Sequence, residues 1–316
     1  MPPPDATAAA ATGLQADAEV QIVDFAYQGH RYTARVNRCP QARTEPLLII
    51  GGVLQSKDTW RLHEMDIGAW ATTVVIEVPG FGDADPLPVH HGLDFLATAV
   101  RHALRTMAMP SVNVLGHSYG SLIGYQLACD YPDQVARLAL AGLGKSDPEQ
   151  LHNQVEEVAQ LLKEGDWDAI AHRAVEAITR TPDNSRTAGS AALDMLVRRQ
   201  FNAMPVPKVK QYLANLERLL YANEHHGLWT TSPVGETRLT TPTLLFTGAG
   251  DTMAPPDDIR SLAESFADAR FTTIRDSGHL APFERRNECI DLLRRFFTDE
   301  LSQTPEYCSA IERSGP

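Results

Sequence analysis

The chain lacks the features that would place it outside a reducing compartment or on a nucleic acid. Four cysteines occur, Cys39, Cys129, Cys289 and Cys308. They stand far apart with no Cys-x-x-Cys or Cys/His ligand spacing, which argues against a disulfide framework and against zinc, and fits a cytoplasmic setting. No apolar run approaches a membrane span, and the alanine-rich start has neither a basic segment nor a continuous apolar core, so neither a signal peptide nor a membrane partner is expected. Positive charge is in deficit: 28 Lys and Arg against 40 Asp and Glu give a formal net charge of −12, which speaks against nucleic acid as a partner. Both phosphate-cradling patterns, Gly-x-x-x-x-Gly-Lys-Ser/Thr and Gly-x-Gly-x-x-Gly, are missing, and no cofactor is expected.

What the chain has is an ordinary globular composition, 43% hydrophobic and 22% charged over 316 residues, enough for one large domain with an insertion. "VQIVDFAY" and "RYTARVN", separated by "QGH", read as a hairpin. "PLLIIGG", "TTVVIEVPG", "SVNVLG", "VARLALAG", "PTLLFTG" and "RFTTIRD" are short, apolar and mostly end at glycine, as strands buried on both faces of a parallel sheet do. Helical patterns such as "LDFLATAVRHALRTM" and "RNECIDLLRRFFTDEL" alternate with them, so the fold class is α/β with a mostly parallel, doubly wound sheet of eight strands.

The alternation breaks once. Residues 147–240 carry helical stretches and no strand, with apolar positions Val155, Val158, Leu161 and Leu162 on one face and Leu193, Leu196 and Phe201 on another. They read as an all-helical cap inserted into a core of residues 18–146 and 241–301. Residues 1–17 read as a disordered leader and 302–316 as a flexible tail.

"GHSYG" sets Ser118 between two glycines where a buried strand gives way to a helix. Gly-x-Ser-x-Gly in that context is a nucleophile elbow: the glycines admit close approach of strand and helix, and the hydroxyl projects from the sheet's carboxyl edge. The same turn aims the Tyr119 amide at the reacting space, half of an oxyanion hole. A serine needs a base, and the base an orienting acid. Asp251, in "GAGD", and His279, in "SGHLAPFE", each follow an apolar strand at its carboxyl end. Asp147, in "GKSDPEQ", is a competing acid that also suits a helix cap. His117 reads as elbow packing. His225 and His226 are adjacent on the chain without a completing carboxylate, so no metal site is expected.

Taken in order, "GGVLQSKDTW", "VPGFGDAD", "GHSYG", "GAGD" and "SGHLAPFE" resemble the motifs of the α/β-hydrolase superfamily, in its serine hydrolase branch with a helical cap after the sixth strand. The resemblance spans roughly residues 20 to 300. It implies a catalytic triad of Ser118, Asp251 and His279, and a second oxyanion amide from Val53, with Leu54 as the alternative. It departs at Gly51-Gly52, where relatives usually have His-Gly and the histidine braces the loop. The cap implies a pocket for a medium-sized, partly apolar small molecule, with Leu54, Phe201 and Trp229 as candidate lining residues. The expected reaction is hydrolysis of a carboxylic ester or thioester by a monomer or homodimer. Acyl transfer, lactone or carbon–carbon bond hydrolysis share the machinery, and a receptor that binds without turnover is the reading from another class.

Overall fold

A computed structural model of the protein describes residues 20–144, 148–179, 190–226 and 239–314. The expected leader, Asp147 and Trp229 lie outside them. Nine strands form one sheet: β1 (Val20–Tyr27), β2 (His30–Asn37), β3 (Leu47–Ile50), β4 (Thr73–Glu77), β5 (Val112–His117), β6 (Val135–Ala141), β7 (Thr243–Gly248), β8 (Ala269–Ile274) and β9 (Glu312–Ser314). Their spatial order is β1-β2-β4-β3-β5-β6-β7-β8-β9. Pairing from β4 to β8 is parallel, while the β1–β2 hairpin joins β4 antiparallel through β2. The hairpin closes through Gln28 and Gly29, at φ 47° and 86°, the two positive values a tight primed turn requires.

Helices cover both faces, which is why β3, β5 and β7 are buried along their whole length and mostly apolar. These are α1 (Arg61–Ile67), α2 (Leu93–Thr106), α3 (Tyr119–Asp130), then α4 to α7 described below, α8 (Pro256–Ala263), the short α9 (Ala281–Glu284) and α10 (Arg286–Phe297). Alternate residues of one strand serve the two layers. Leu48 and Ile50 join Leu96, Val100, Leu122 and Ile123 in one core, and Leu47 and Ile49 join Ile67, Leu292, Leu293 and Phe296 in the other.

The ninth strand comes from the segment expected to be a flexible tail, and this corrects that expectation. β8 would otherwise be an edge strand with unpaired backbone groups, and β9 pairs with it antiparallel, Ala269 opposite Ser314 and Phe271 opposite Glu312. Tyr307 Oη donates to Asp291 at 2.7 Å, and Cys308 of the same segment is buried. Backbone pairing asks little of the side chains, so the polar sequence gave no sign of it.

Between β6 and β7 lie α4 (Pro148–Glu164), α5 (Trp167–Thr179), α6 (Ser190–Asn202) and α7 (Val206–His226). Val158, Ile170, Ala174, Phe201, Val209, Tyr212 and Leu216 form their shared apolar cluster. The expected apolar face of α6 is partly wrong: Phe201 is buried, but Leu196 is 60% exposed. α7 fastens this insertion to the loop after β4. Asn215 Nδ2 donates to the Gly80 carbonyl at 3.0 Å, Gln211 accepts the Leu87 amide at 3.2 Å, and Lys208 donates to Gly82. Among the described residues no helix is long and apolar enough to cross a membrane.

Candidate active site

Ser118 stands at the junction of β5 and α3 in a conformation few non-glycine residues adopt, φ 53° and ψ −120°. Its neighbours explain how the chain can turn so tightly. A Cβ on Gly116 would lie 2.5 Å from the Gly120 carbonyl oxygen, and one on Gly120 would overlap the carbonyl of Ile50. Two bonds to one acceptor anchor the turn: Ser118 N–H to the Ala141 carbonyl at 2.8 Å and Ser121 Oγ to the same oxygen at 3.0 Å.

His279 follows β8 and Asp251 follows β7, adjacent parallel strands whose carboxyl ends deliver both residues to the elbow. His279 Nε2 is 3.0 Å from Ser118 Oγ, and Nδ1 is 3.0 Å from Asp251 Oδ2. The Asp251 carboxylate is 2% exposed, and its oxygens also accept the amides of Met253 at 2.9 Å and Ala254 at 2.8 Å and the Thr247 hydroxyl. Burial would push its pKa up, but the His279 imidazole, Thr247 and the Ala254 amide outweigh burial and hold it below the usual carboxylate value. For His279, burial favours the neutral ring, yet the Asp251 charge and hydrogen bond prevail and raise its pKa above the ordinary value. An ionised Asp251 accepts from Nδ1–H, which leaves the Nε2 lone pair to accept the Ser118 hydroxyl proton.

The backbone amides of Val53 and Tyr119 have no hydrogen-bond acceptor among the described residues. Tyr119 opens α3, so its N–H has no intrahelical partner. Val53 and Leu54 are the central residues of a turn closed by Gln55 N–H on the Gly52 carbonyl at 3.0 Å. The neighbouring Gly52 amide is already taken, donating to Gln55 Oε1 at 2.8 Å. The loop lies against the elbow, with the Cβ position of Gly52 3.3 Å from that of Ser118.

The structure therefore brings Ser118, His279, Asp251, Val53 and Tyr119 together. Leu54 and Val53 also touch the apolar cluster of the insertion that contains Phe201. Phe201 itself is packed inside that cluster, edge-on to Tyr212 with ring centroids 5.5 Å apart. Burial pushes the Tyr119 phenol up, and the nearby Arg218 guanidinium opposes it. Sequence reasoning missed Thr247 and Gln55. Thr247 reads as one more strand residue, and the spacing of Gln55 three after Gly52 gains meaning only once the turn exists.

The sequence family described as alpha/beta hydrolase fold matches residues 45–286, well over half of the chain. The (E)-2-((N-methylformamido)methylene)succinate hydrolase of Acinetobacter baylyi is 29% identical over 129 residues, 40% of this chain and 49% of that enzyme, so the match spans about half that relative's length. The 2-hydroxy-6-oxononadienedioate/2-hydroxy-6-oxononatrienedioate hydrolase of a Pseudomonas species is 23% identical over 73% of this chain and 78% of its own. Among solved structures, the enol-lactonase from Burkholderia xenovorans superposes with a TM-score of 0.72 at 19% identity, covering 87% of this chain and 99% of that one. An alpha/beta hydrolase enzyme from a Medee basin deep-sea metagenome library also reaches 0.72, at 20% identity over 89% and 98%.

Proposed function

Because the chain belongs to the α/β-hydrolase fold family, we propose that it is a serine hydrolase in which Ser118 is the nucleophile, His279 the general base and acid, and Asp251 the group that orients His279. The observation that carries this reading is the unbroken pair of 3.0 Å contacts from Ser118 Oγ to His279 Nε2 and from His279 Nδ1 to Asp251 Oδ2.

In the first half-reaction Ser118 Oγ bonds to the substrate carbonyl carbon and its proton passes to His279 Nε2, while the carbonyl electron pair moves onto oxygen. That oxyanion accepts from the Val53 and Tyr119 amides. Collapse expels the leaving group, which takes the proton from Nε2 and leaves an acyl-enzyme. Water then repeats the sequence: it gives a proton to Nε2, adds to the acyl carbon, and the second collapse returns the proton to Ser118 and releases the acid.

The bond cleaved in this reading is a carboxylic ester or thioester of a medium-sized, partly apolar molecule. Support comes from the apolar insertion cluster beside Val53 and Leu54. The Pseudomonas hydrolase and the enol-lactonase favour a second reading, cleavage of a lactone or a carbon–carbon bond by the same residues. Four unpaired cysteines fit work in the cytoplasm.

The test is a panel of p-nitrophenyl esters of rising chain length, acyl thioesters and lactones, with mass spectrometry of the trapped acyl-enzyme. A fluorophosphonate should label Ser118, and Ser118→Ala should lose both labelling and turnover. Labelling of another serine with activity intact in Ser118→Ala sinks the reading. Stoichiometric binding without multiple turnover points to a receptor, and acyl transfer faster than hydrolysis to an acyltransferase.

A further inference from the structure

A line of hydrogen bonds, part-buried at the loop after β3 and fully buried at its far end, runs from that loop through His117 to the backbone of His279. Gly52 N–H donates to Gln55 Oε1 at 2.8 Å, Gln55 Nε2 lies 2.8 Å from His117 Nδ1, and His117 Nε2 lies 3.1 Å from the His279 carbonyl oxygen. Every proton in this line has one place. The Gly52 amide can only donate, so the Gln55 oxygen faces it and the Gln55 NH₂ faces His117. Nδ1 of His117 must then accept, which leaves the ring proton on Nε2, opposite a carbonyl that receives it.

The line needs a neutral His117, and its surroundings supply one. The side chain is 1% exposed. Burial first, then the His279 ring at a centroid distance of 5.6 Å, lowers its pKa to about 3. A protonated ring would set an Nδ1–H against the Gln55 NH₂. The position of Gly51 explains why the brace comes from Gln55. A Cβ there would lie 2.9 Å from Trp60 Nε1 and 3.0 Å from both Cβ and Oε1 of Gln55, so the space is already filled.

We propose that Gln55 and His117 are positioning residues that lock the Gly52–Gln55 turn, and with it the Val53 amide, in register with His279 and Ser118. This rests on the serine-hydrolase reading. Val53 and Leu54 stand at the turn's centre and are tied to the elbow through Gln55 from the side facing the core. A backbone link, Gln55 N–H to the Gly52 carbonyl at 3.0 Å, closes the turn on itself. The relay ends on the backbone of the same residue whose ring takes the Ser118 proton, so oxyanion donor and base are held by one set of bonds.

Gln55→Met preserves volume and removes both side-chain bonds of residue 55, and His117→Phe removes the middle of the line. On the best ester found, each should lower kcat by about 10- to 100-fold, the range of a displaced oxyanion donor, with KM within about threefold of the parent. The double variant should be no worse than the poorer single, because either break opens the same line. Single variants that keep kcat within about threefold of the parent, or losses that multiply in the double variant, overturn the proposal.

A second measurement needs no turnover. In ¹⁵N NMR of the full chain, His117 should show an unprotonated Nδ1 and a protonated Nε2 at neutral pH, and the Nδ1 resonance should move in Gln55→Met. A protonated Nδ1 in the parent refutes the relay even if the esters are hydrolysed. Correct tautomers in a protein whose Ser118 takes no fluorophosphonate and turns over no ester refute the serine-hydrolase reading and the catalytic role of the relay with it.

Discussion

His279 Nδ1 and Asp251 Oδ2 lie 3.0 Å apart, and the same carboxylate is held from behind by the Met253 and Ala254 amides and the Thr247 hydroxyl. Asp251 is thus fixed independently of the histidine it faces. Asp251→Asn can keep the two backbone bonds through its remaining oxygen, but its NH₂ would face Nδ1 and turn the imidazole to the tautomer that cannot accept from Ser118. The expected outcome is a kcat lower by roughly 10⁴-fold with KM and thermal midpoint nearly unchanged. Asp147→Ala should leave kcat within a small factor of the parent. The reverse pattern in steady-state kinetics of the two variants would assign the carboxylate to Asp147.

The pH profile follows from the same pair. His279 must be neutral to accept the Ser118 proton, and its pKa is raised because the Asp251 charge outweighs burial. Activity should therefore fall as pH drops through a midpoint above the ordinary histidine value of about 6.5. In Asp251→Asn the raising influence is gone and burial remains, so the midpoint of the residual activity should move to lower pH. His117, held neutral down to about pH 3, should add no second limb. Measurement of kcat/KM from about pH 5 to 9 on parent and variant decides it, and an acid limb that stays in place in Asp251→Asn would show that His279 is not the titrating base.

The sequence was most informative where chemistry and backbone demand the same residue. Strands buried on both faces must be mostly apolar, and the elbow must have glycines where a side chain would strike a carbonyl, so the six parallel strands and Ser118 could be read directly, and the hairpin from its β-rich runs around a polar turn. It was silent where a role depends on what lies opposite. Glu312, Arg313 and Ser314 form a strand because β8 offers an open edge. Gln55 braces the turn because His117 stands behind it. Thr247 supports Asp251 from within a strand whose Leu244, Leu245 and Phe246 fill the core. Leu196 fits a helical apolar stripe, yet it is exposed.

Backbone strain at Ser118 should be measurable. With φ 53° and ψ −120°, Ser118 occupies a region that glycine enters freely and that costs other residues about 1–3 kcal/mol. Ser118→Gly and Ser118→Ala should both abolish turnover, but Ser118→Gly should be the more stable of the two by about 1 kcal/mol or more in denaturant unfolding. Equal stabilities would mean that the turn relaxes and stores no strain.

Arg218 should govern how firmly the helical insertion is held. The side chain is fully buried, and its acceptors are all neutral: the His91 carbonyl from Nε at 2.7 Å, Leu87 and Pro88 from Nη2 at 2.8 and 3.2 Å, and Asn215 Oδ1 from Nη1 at 2.5 Å. A planar fork satisfies three carbonyls of one loop at once, which a lysine ammonium on a single stem cannot do. Arg218→Lys should leave at least one of them without a donor and destabilise the protein by on the order of 3 kcal/mol. The loss should be local before it is global, since Asn215, Gln211 and Lys208 reach the same loop from the same helix. Limited proteolysis of the variant should then cut within residues 148–226 well before the sheet, at protease levels that leave the parent intact, and an apolar ester analogue should slow the cut. Cleavage first inside β5, or a variant as resistant as the parent, would show that Arg218 does not hold the insertion to the loop.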